Sequence, residues 1–327
     1  MSPAGGSGIL YLSRDDVERA GISTAEVIRA VEDMFLEKAG GRTEMPPKTA
    51  VHPAADSFLN AMPAFLPKSR AAGIKWVGSF PDNPSRNLPS ISALLILNDM
   101  ETGHPVCVMD GTWITAKRTA AASAVAAKYL ARPEAETLGI IGCGVQGFSH
   151  VEAIRTLFAV RKVKAYDLRP EAAAAFVRKA GDAFGLDVEA VPSAEAAVRG
   201  SDLVVTAGAI RKDPRPFVRE EWFARGAFAS AVDYDSAWTP EATRAADLFV
   251  TDDVPQMRAH RESGYFRVLP DRVIELGDLV AGRTPGRTRP GERTMAMNLG
   301  IALDDLAVAP LVFEKASSAG LGVRLPR

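Results

Sequence analysis

Two cysteines, Cys107 and Cys143, in a chain of 327 residues are too few for a disulfide framework. No charged-then-apolar leader opens the sequence, so a reducing cytoplasm is the expected compartment. No apolar run approaches the 18 or so residues that a spanning helix needs, which argues against a membrane role. Neither sign of charge dominates, with 39 Lys and Arg against 40 Asp and Glu for a formal net charge of -1, which speaks against nucleic acid or an anionic membrane as the main partner. The four histidines, His52, His104, His150 and His260, share no metal-ligand spacing with one another or with the cysteines, so no metal is expected. Internal repeats, low-complexity tracts, a GxSxG elbow and a Ser-His-Asp order are also missing. What remains is ordinary globular composition, 47% hydrophobic and 24% charged, and a length that at about 150 residues per domain suggests two domains.

Patterning separates the chain into two textures. Met1 to Gly8 is small and Gly-rich, which reads as a frayed or tucked start. Ser23 with Glu26 makes a capping box, Val27, Val31 and Phe35 share one face, and Gly40-Gly41 ends the helix. From Lys48 to Asp110, strand-length runs (KTAVH, SFLNAMPAFL, GIKWVGSF, ISALLILN, PVCVMD) separated by Pro, Gly and Asn predict an antiparallel meander. The alanine-rich run ITAKRTAAASAVAAKYLARP predicts a long helix stopped by Pro133. Beyond it strands and helices alternate: TLGIIG, VKAYD, DVEAV, LVVTAG, GAFASAV and DLFVTD, with helices between most of them. That alternation predicts a doubly wound parallel sheet. Met295 to Ala319 reads as a closing helix that could return to the first domain.

The buried-strand pattern Leu138 to Ile141 runs directly into Gly142-Cys143-Gly144-Val145-Gln146-Gly147 and then a helix. In such a GxGxxG loop the first glycine allows the tight turn, the second lets backbone approach a pyrophosphate, and the third lets helix and strand pack closely. A second strand ends in Tyr166-Asp167, about 20 residues on, where a carboxylate would bind the adenosine ribose hydroxyls. Strand, loop, helix and acid together predict NAD binding through Gly142, Gly144, Val145, Gln146, Gly147, Asp167 and Arg169. Asp167 would repel a 2′-phosphate, while Arg169, Lys162 and Lys164 nearby keep NADP as the alternative. Cys143 fills a variable loop position and reads as packing.

Two cations stand in unusual places: Lys75 inside the apolar strand GIKWVG, and Arg118 near the start of the alanine-rich helix. Each taken alone could be a solvated tip on an apolar stem. Arg283, Arg287, Arg289 and Arg293 in RTPGRTRPGER suggest an anion patch, but a solvated Pro/Gly loop is the simpler reading. Trp76, Trp113 and Trp238 flank these positions and could wall a pocket or simply pack.

Together MPPK (45–48), AGIKWVGSFP (72–81), LNDMETG (97–103), ITAKRTAAASAVAAKYLARP (114–133), IIGCGVQG (140–147), GDLVAGRTPGR (277–287) and GIALDDLAVA (300–309) resemble the ornithine cyclodeaminase/mu-crystallin family over nearly the whole chain. The resemblance implies an α/β protein with a Rossmann-type NAD(P)-binding domain, 119–299. A second, α+β domain for substrate binding and dimerisation, with a mainly antiparallel sheet, would be built from 1–118 and 300–327. It implies a homodimer acting on a small amino or imino acid. Lys75 and Arg118 would contact the substrate carboxylate, and Lys48 stands where the family has a further arginine, keeping the charge but losing the bidentate fork. Alignment of Ser230-Ala231-Val232-Asp233-Tyr234-Asp235 with the family's NAVGAD-like segment puts Asp235 at the proton-handling position. Asp233 replaces a glycine, and Ser236-Ala237-Trp238 replaces a Pro-Gly-Lys stretch. A second carboxylate there would suit a cationic substrate or be only an acid on a solvated loop.

The implied chemistry is hydride transfer at Cα, with cyclising deamination of ornithine to proline as the leading case. Imine reduction or amino-acid dehydrogenation is the alternative, and a mu-crystallin-like binder of NADP and ligand the further one.

Overall fold

The computed structural model describes residues 8–54, 56–266 and 268–326, and the chain divides into two compact units, Met1–Arg118 with Ile301–Arg327, and Thr119–Gly300. The stretch read as a frayed start lies, up to Ser7, outside the described residues.

The first unit is built on one sheet. Its elements are β1 (Gly8–Leu12), α1 (Arg14–Arg19), α2 (Thr24–Ala39), β2 (Thr49–Val51), β3 (Phe58–Leu66), β4 (Ala71–Ser79), β5 (Ile91–Asn98), β6 (Pro105–Asp110) and the start of α3 (Thr112–Leu130). From the far end of the chain come α10 (Ala302–Ser318) and β15 (Val323–Pro326). The strand order is β15-β1-β6-β5-β4-β3-β2, antiparallel except where β1 runs parallel to β6. The meander follows from local chemistry. Asp99, for example, accepts from the backbone N–H groups of Glu101 and Thr102 and from the Thr102 hydroxyl, which closes the β5–β6 turn with Gly103 at φ 73°. The capping box of α2 forms as its sequence predicts, Ser23 and Glu26 each bonding the other's backbone.

Helix α10 packs on β3, β4 and α2. Gly73 makes this close approach feasible: a Cβ there would lie 2.1 Å from the Ile96 carbonyl oxygen and 3.3 Å from the Leu306 side chain. Side chains alternate along a strand, so Lys75 points under the helix layer and Trp76 to the opposite face. That opposite face is apolar. Pro63, Ile74, Ile96, Val108, Tyr11 and Val323 stand in register across six strands, with Trp76 and Leu94 paired beside them and each 47% exposed.

The second unit is an eight-stranded, all-parallel sheet in the order β13-β12-β14-β11-β10-β7-β8-β9. In chain order its elements are β7 (Thr137–Ile141), α4 (Val145–Leu157), β8 (Lys162–Tyr166), α5 (Pro170–Phe184), β9 (Asp187–Ala190), α6 (Ala194–Val198), β10 (Leu203–Thr206), β11 (Phe228–Ala231), α7 (Pro240–Arg244), β12 (Leu248–Thr251), α8 (Val254–Glu262), β13 (Ile274–Glu275), α9 (Leu276–Val280) and β14 (Thr294–Ala296). The chain runs outward from β7 through β8 to β9, then returns to the other side of β7 with β10. That reversal beside β7 is the switch point where doubly wound sheets bind ligands at their strand C-termini.

Two sequence readings change. Helix α10 starts at Ala302, not at Met295, because Thr294–Ala296 is a fully buried strand between β11 and β12. A short apolar run without alternation looks the same at the head of a buried helix. The arginine-rich loop is a brace more than a solvated loop: Arg287 donates to the carbonyls of Leu130, Pro290, Glu292 and Ala227 and to the Thr294 hydroxyl. Trp238, for which wall and packing were both open, is buried, its indole N–H donating to Thr206 Oγ1 at 3.1 Å.

Candidate active site

In the second unit the glycine loop has the strain and the openness that a dinucleotide site needs. Gly142 sits at φ 97° and a Cβ there would lie 2.6 Å from the Ala207 carbonyl oxygen; a Cβ on Gly147 would lie 2.3 Å from the Gly142 carbonyl oxygen. Gly144, the N-cap of α4, is different: a Cβ there would meet nothing within 4 Å. Helix α4 turns the N–H groups of its first turn and its positive dipole end to this open side, with Val145 exposed beside it. Asp167, just past β8, accepts from the backbone N–H of Cys143 at 2.9 Å and of Arg169 at 3.0 Å, so its carboxylate is held beside the loop. The Arg169 side chain is exposed, with Nε 3.9 Å from that carboxylate. Gln146 is half-buried, and its Oε1 is buried with no partner among the described residues. Burial, with the Asp167 charge adding, pushes the Cys143 thiol up to about 12, which disposes of it as a nucleophile.

This contrast between glycines is testable. Gly147→Ala is expected to destabilise the fold by about 1–3 kcal/mol through backbone overpacking. Gly144→Ala is expected to leave the melting temperature near wild type while weakening NAD binding by about tenfold or more, the equivalent of one lost bond to a charged group. Differential scanning fluorimetry with and without NAD separates the two effects.

Behind the loop lies a buried relay. A carbonyl can only accept, so His150 Nδ1–H donates to the Gln146 carbonyl (2.7 Å), and His150 Nε2 is left to accept the Ser123 hydroxyl (2.9 Å), which in turn accepts from Ser230 (2.9 Å). Burial holds His150 down to about 4, the Gln146 carbonyl opposing, so the ring stays neutral. The relay ties the first turn of α4 to α3 and β11.

Past β11 stand the two acids. Asp233 is buried, its Oδ1 accepting from Thr206 Oγ1 (2.6 Å) and its Oδ2 from the Gly208 N–H (3.1 Å). Burial raises it to about 6 against those hydrogen bonds. Each oxygen of Asp233 accepts one hydrogen bond, so it braces the loop after β10, and its burial excludes the alternative of an acid on a solvated loop. Tyr234, between the acids, is held at φ 61°, its hydroxyl donating to the Leu299 carbonyl (3.2 Å). Asp235 is half-buried at the wall of a small cavity of about 90 Å³ with Pro214, Pro216, Trp238 and Thr243. Sequence reading missed Asn298, just past β14. It is 7% exposed and neither side-chain amide atom has a partner among the described residues. Such an orphaned amide matches the donor and acceptor of a nicotinamide carboxamide. Nothing in MNLG marks it, least of all when the segment is read as helix.

In the first unit the cations converge. Lys75 Nζ lies 2.6 Å from Asp305 Oδ2 and 3.2 Å from the Thr115 hydroxyl. Arg118 Nε lies 2.9 Å from Asp305 Oδ1 and its Nη1 3.3 Å from Asp304 Oδ2. All four charged side chains are buried. Burial first, then the Arg118 charge, lowers Lys75 to about 7; Asp305 opposes this and the half-buried Lys48 adds to it. Lys48, Lys75 and Arg118 therefore share one electrostatic neighbourhood. Asp304 and Asp305 were not picked out from the sequence, where they lie inside the stretch read as one closing helix from Met295. The available signal was their place within the apolar run ALDDLAVA.

A switch-point dinucleotide loop on one unit and a buried, paired cation cluster on the other define a two-unit nucleotide-dependent architecture. The chain belongs to the ornithine cyclodeaminase/mu-crystallin family, which matches residues 10–320. It is 38% identical over 326 residues to the alanine dehydrogenase of Archaeoglobus fulgidus, covering 97% of this chain and 98% of that protein. The fold superposes with a TM-score of 0.89 and 33% identity on the Thermococcus litoralis Δ1-pyrroline-2-carboxylate reductase in complex with NADH and L-proline, over 97% of this chain and 100% of that one. An archaeal alanine dehydrogenase dimer with bound NAD matches with a TM-score of 0.87 and 36% identity, over 97% and 98%.

Proposed function

We propose that the protein is an NAD-dependent enzyme acting on a small α-amino or imino acid by hydride transfer at Cα. The observation that carries this reading is the buried pair Lys75 and Arg118, gathered on a shared carboxylate in a chain whose other unit holds the open glycine loop. The resemblance to an alanine dehydrogenase and a pyrroline-2-carboxylate reductase supports it. NAD, held by Gly142, Gly144, Val145, Gln146, Gly147, Asp167 and Arg169, supplies the hydride acceptor, or NADH the donor. Asp167 favours a free ribose 2′-hydroxyl over a phosphate. Lys48, Lys75 and Arg118 bind the substrate carboxylate and fix its orientation. Asp235 takes a proton from the α-ammonium, because only the free amine can assist loss of hydride from Cα; in the reductive direction it returns that proton.

The test is to follow nicotinamide absorbance and amino-acid products together, using NAD with L-alanine and L-ornithine, and NADH with Δ1-pyrroline-2-carboxylate or with pyruvate and ammonia. NADH formed from alanine identifies a dehydrogenase, NADH consumed by the cyclic imine a reductase, and proline with ammonia at constant NADH a cyclodeaminase. No turnover anywhere, with NAD bound, would overturn the enzymatic reading in favour of a binding role.

The dimer belongs to the same reading. Tyr11, Trp76, Leu94 and Val323 leave one face of the first unit's sheet apolar and exposed, as a subunit interface requires, and the similar archaeal alanine dehydrogenase is a dimer. Sedimentation is expected to give the mass of two 34.8 kDa chains, and Trp76→Glu that of one.

A further inference from the structure

Lys75 and Arg118 come from different elements, β4 and α3, yet each meets one oxygen of the same carboxylate. That carboxylate belongs to Asp305, contributed by α10 from the far end of the chain. The two oxygens of a carboxylate stand at a fixed separation, so cations seated one on each are held at a spacing set by that group. We propose that Asp305 is a positioning residue: it templates Lys75 and Arg118 at the spacing a substrate carboxylate requires and supplies the charge that keeps Lys75 a cation. This rests on the carboxylate-binding role proposed for Lys75 and Arg118.

The surroundings of Lys75 make that charge consequential. Arg118 and the Thr115 hydroxyl face it from α3, Lys48 acts on it from the segment before β2, and Asp304 meets Arg118. Burial and two neighbouring cations work against its proton, and the Asp305 carboxylate works for it. Without that carboxylate a buried lysine gives up its proton instead of staying charged and alone. Neutral Lys75 cannot pair with a substrate carboxylate. Each pK unit lost then costs tenfold in the charged fraction, and a loss of one to two units is expected for a buried neighbour.

The test is Asp305→Asn in the whole protein with bound nicotinamide cofactor. KM and kcat are measured from about pH 6 to about pH 9 with L-alanine and NAD, or with Δ1-pyrroline-2-carboxylate and NADH, and calorimetry measures L-proline binding to the NADH-loaded protein. A KM or Kd raised roughly 10- to 100-fold at neutral pH is expected, with kcat changed much less and the deficit shrinking as pH falls. Asp305→Glu, which keeps the charge but lengthens the reach, is expected to raise KM while restoring the wild-type pH dependence. NADH titration and melting report whether each variant folds, and if the Asn variant does not, the Glu variant carries the test. A folded Asp305→Asn protein with wild-type KM and pH dependence, or one that has lost only melting temperature, overturns the proposal. If Lys75→Met and Arg118→Lys also leave KM unchanged, the carboxylate reading itself has failed; if they raise it while Asp305→Asn does not, only the templating role has.

Discussion

Asp235→Asn is expected to lower kcat by about 10²- to 10⁴-fold, the range that a positioned general base contributes. Asparagine keeps the size and hydrogen-bonding reach of the side chain but cannot take up a proton, so the loss belongs to the chemical step. NAD affinity is expected to stay within about threefold of wild type, because the residues proposed to hold the cofactor lie on the glycine loop and at Asp167. Fluorescence titration with NADH and single-turnover kinetics separate the two. A kcat within threefold of wild type would mean that another group moves the proton. Asp233, braced by Thr206 and Gly208, would be the next to substitute.

The second large effect is expected at Lys75. Lys75→Met keeps most of the volume and removes the charge, leaving Asp305 to Arg118 alone and the substrate carboxylate short of one cation. Truncating one partner of a buried, hydrogen-bonded charge pair costs about 2–5 kcal/mol, or roughly 30- to 5,000-fold in kcat/KM, and most of it is expected in KM. The pH profile gives an independent check. In the wild type KM for the amino or imino acid is expected to worsen above about 7, where the buried lysine loses its proton, and in the Met variant it is expected to be flat there. Stability runs the other way. An unfolded lysine holds its proton to about 10.5 and Lys75 releases its own near 7, so between those values the unfolded chain is the more protonated state and rising pH favours the folded one. Melting temperature measured across that interval in wild type and Lys75→Met reads this contribution directly.

Much of this was legible in the sequence because it is local. The capping box of Ser23 and Glu26, the alanine-rich helix and the loop from Gly142 to Gly147 all record interactions between residues a few positions apart. The parallel sheet could be read from alternation alone. What could not be read is tertiary. Arg118 finds its carboxylates 186 and 187 residues away, and no periodicity reports a pairing of that range. Asp233 stood out because it replaces a glycine in the resemblance; its burial against Thr206 and Gly208 was not readable from the segment. Strand β14 and Asn298 were hidden by the ambiguity of a three-residue apolar strand.

The interleaved ends of the first unit also bear on how the chain matures at the ribosome. Residues 119–300 form a compact unit of their own and can fold as soon as they emerge. The sheet that precedes them in sequence must wait for its last strand, because β15 pairs with β1, and its helix layer waits for α10. During that interval Lys75 and Arg118 have no carboxylate from α10 beside them, and the nascent first unit carries two cations that are paired only when residues 301–327 arrive. Arrival of α10, more than synthesis of the nucleotide-binding unit, is then the event that completes the carboxylate site.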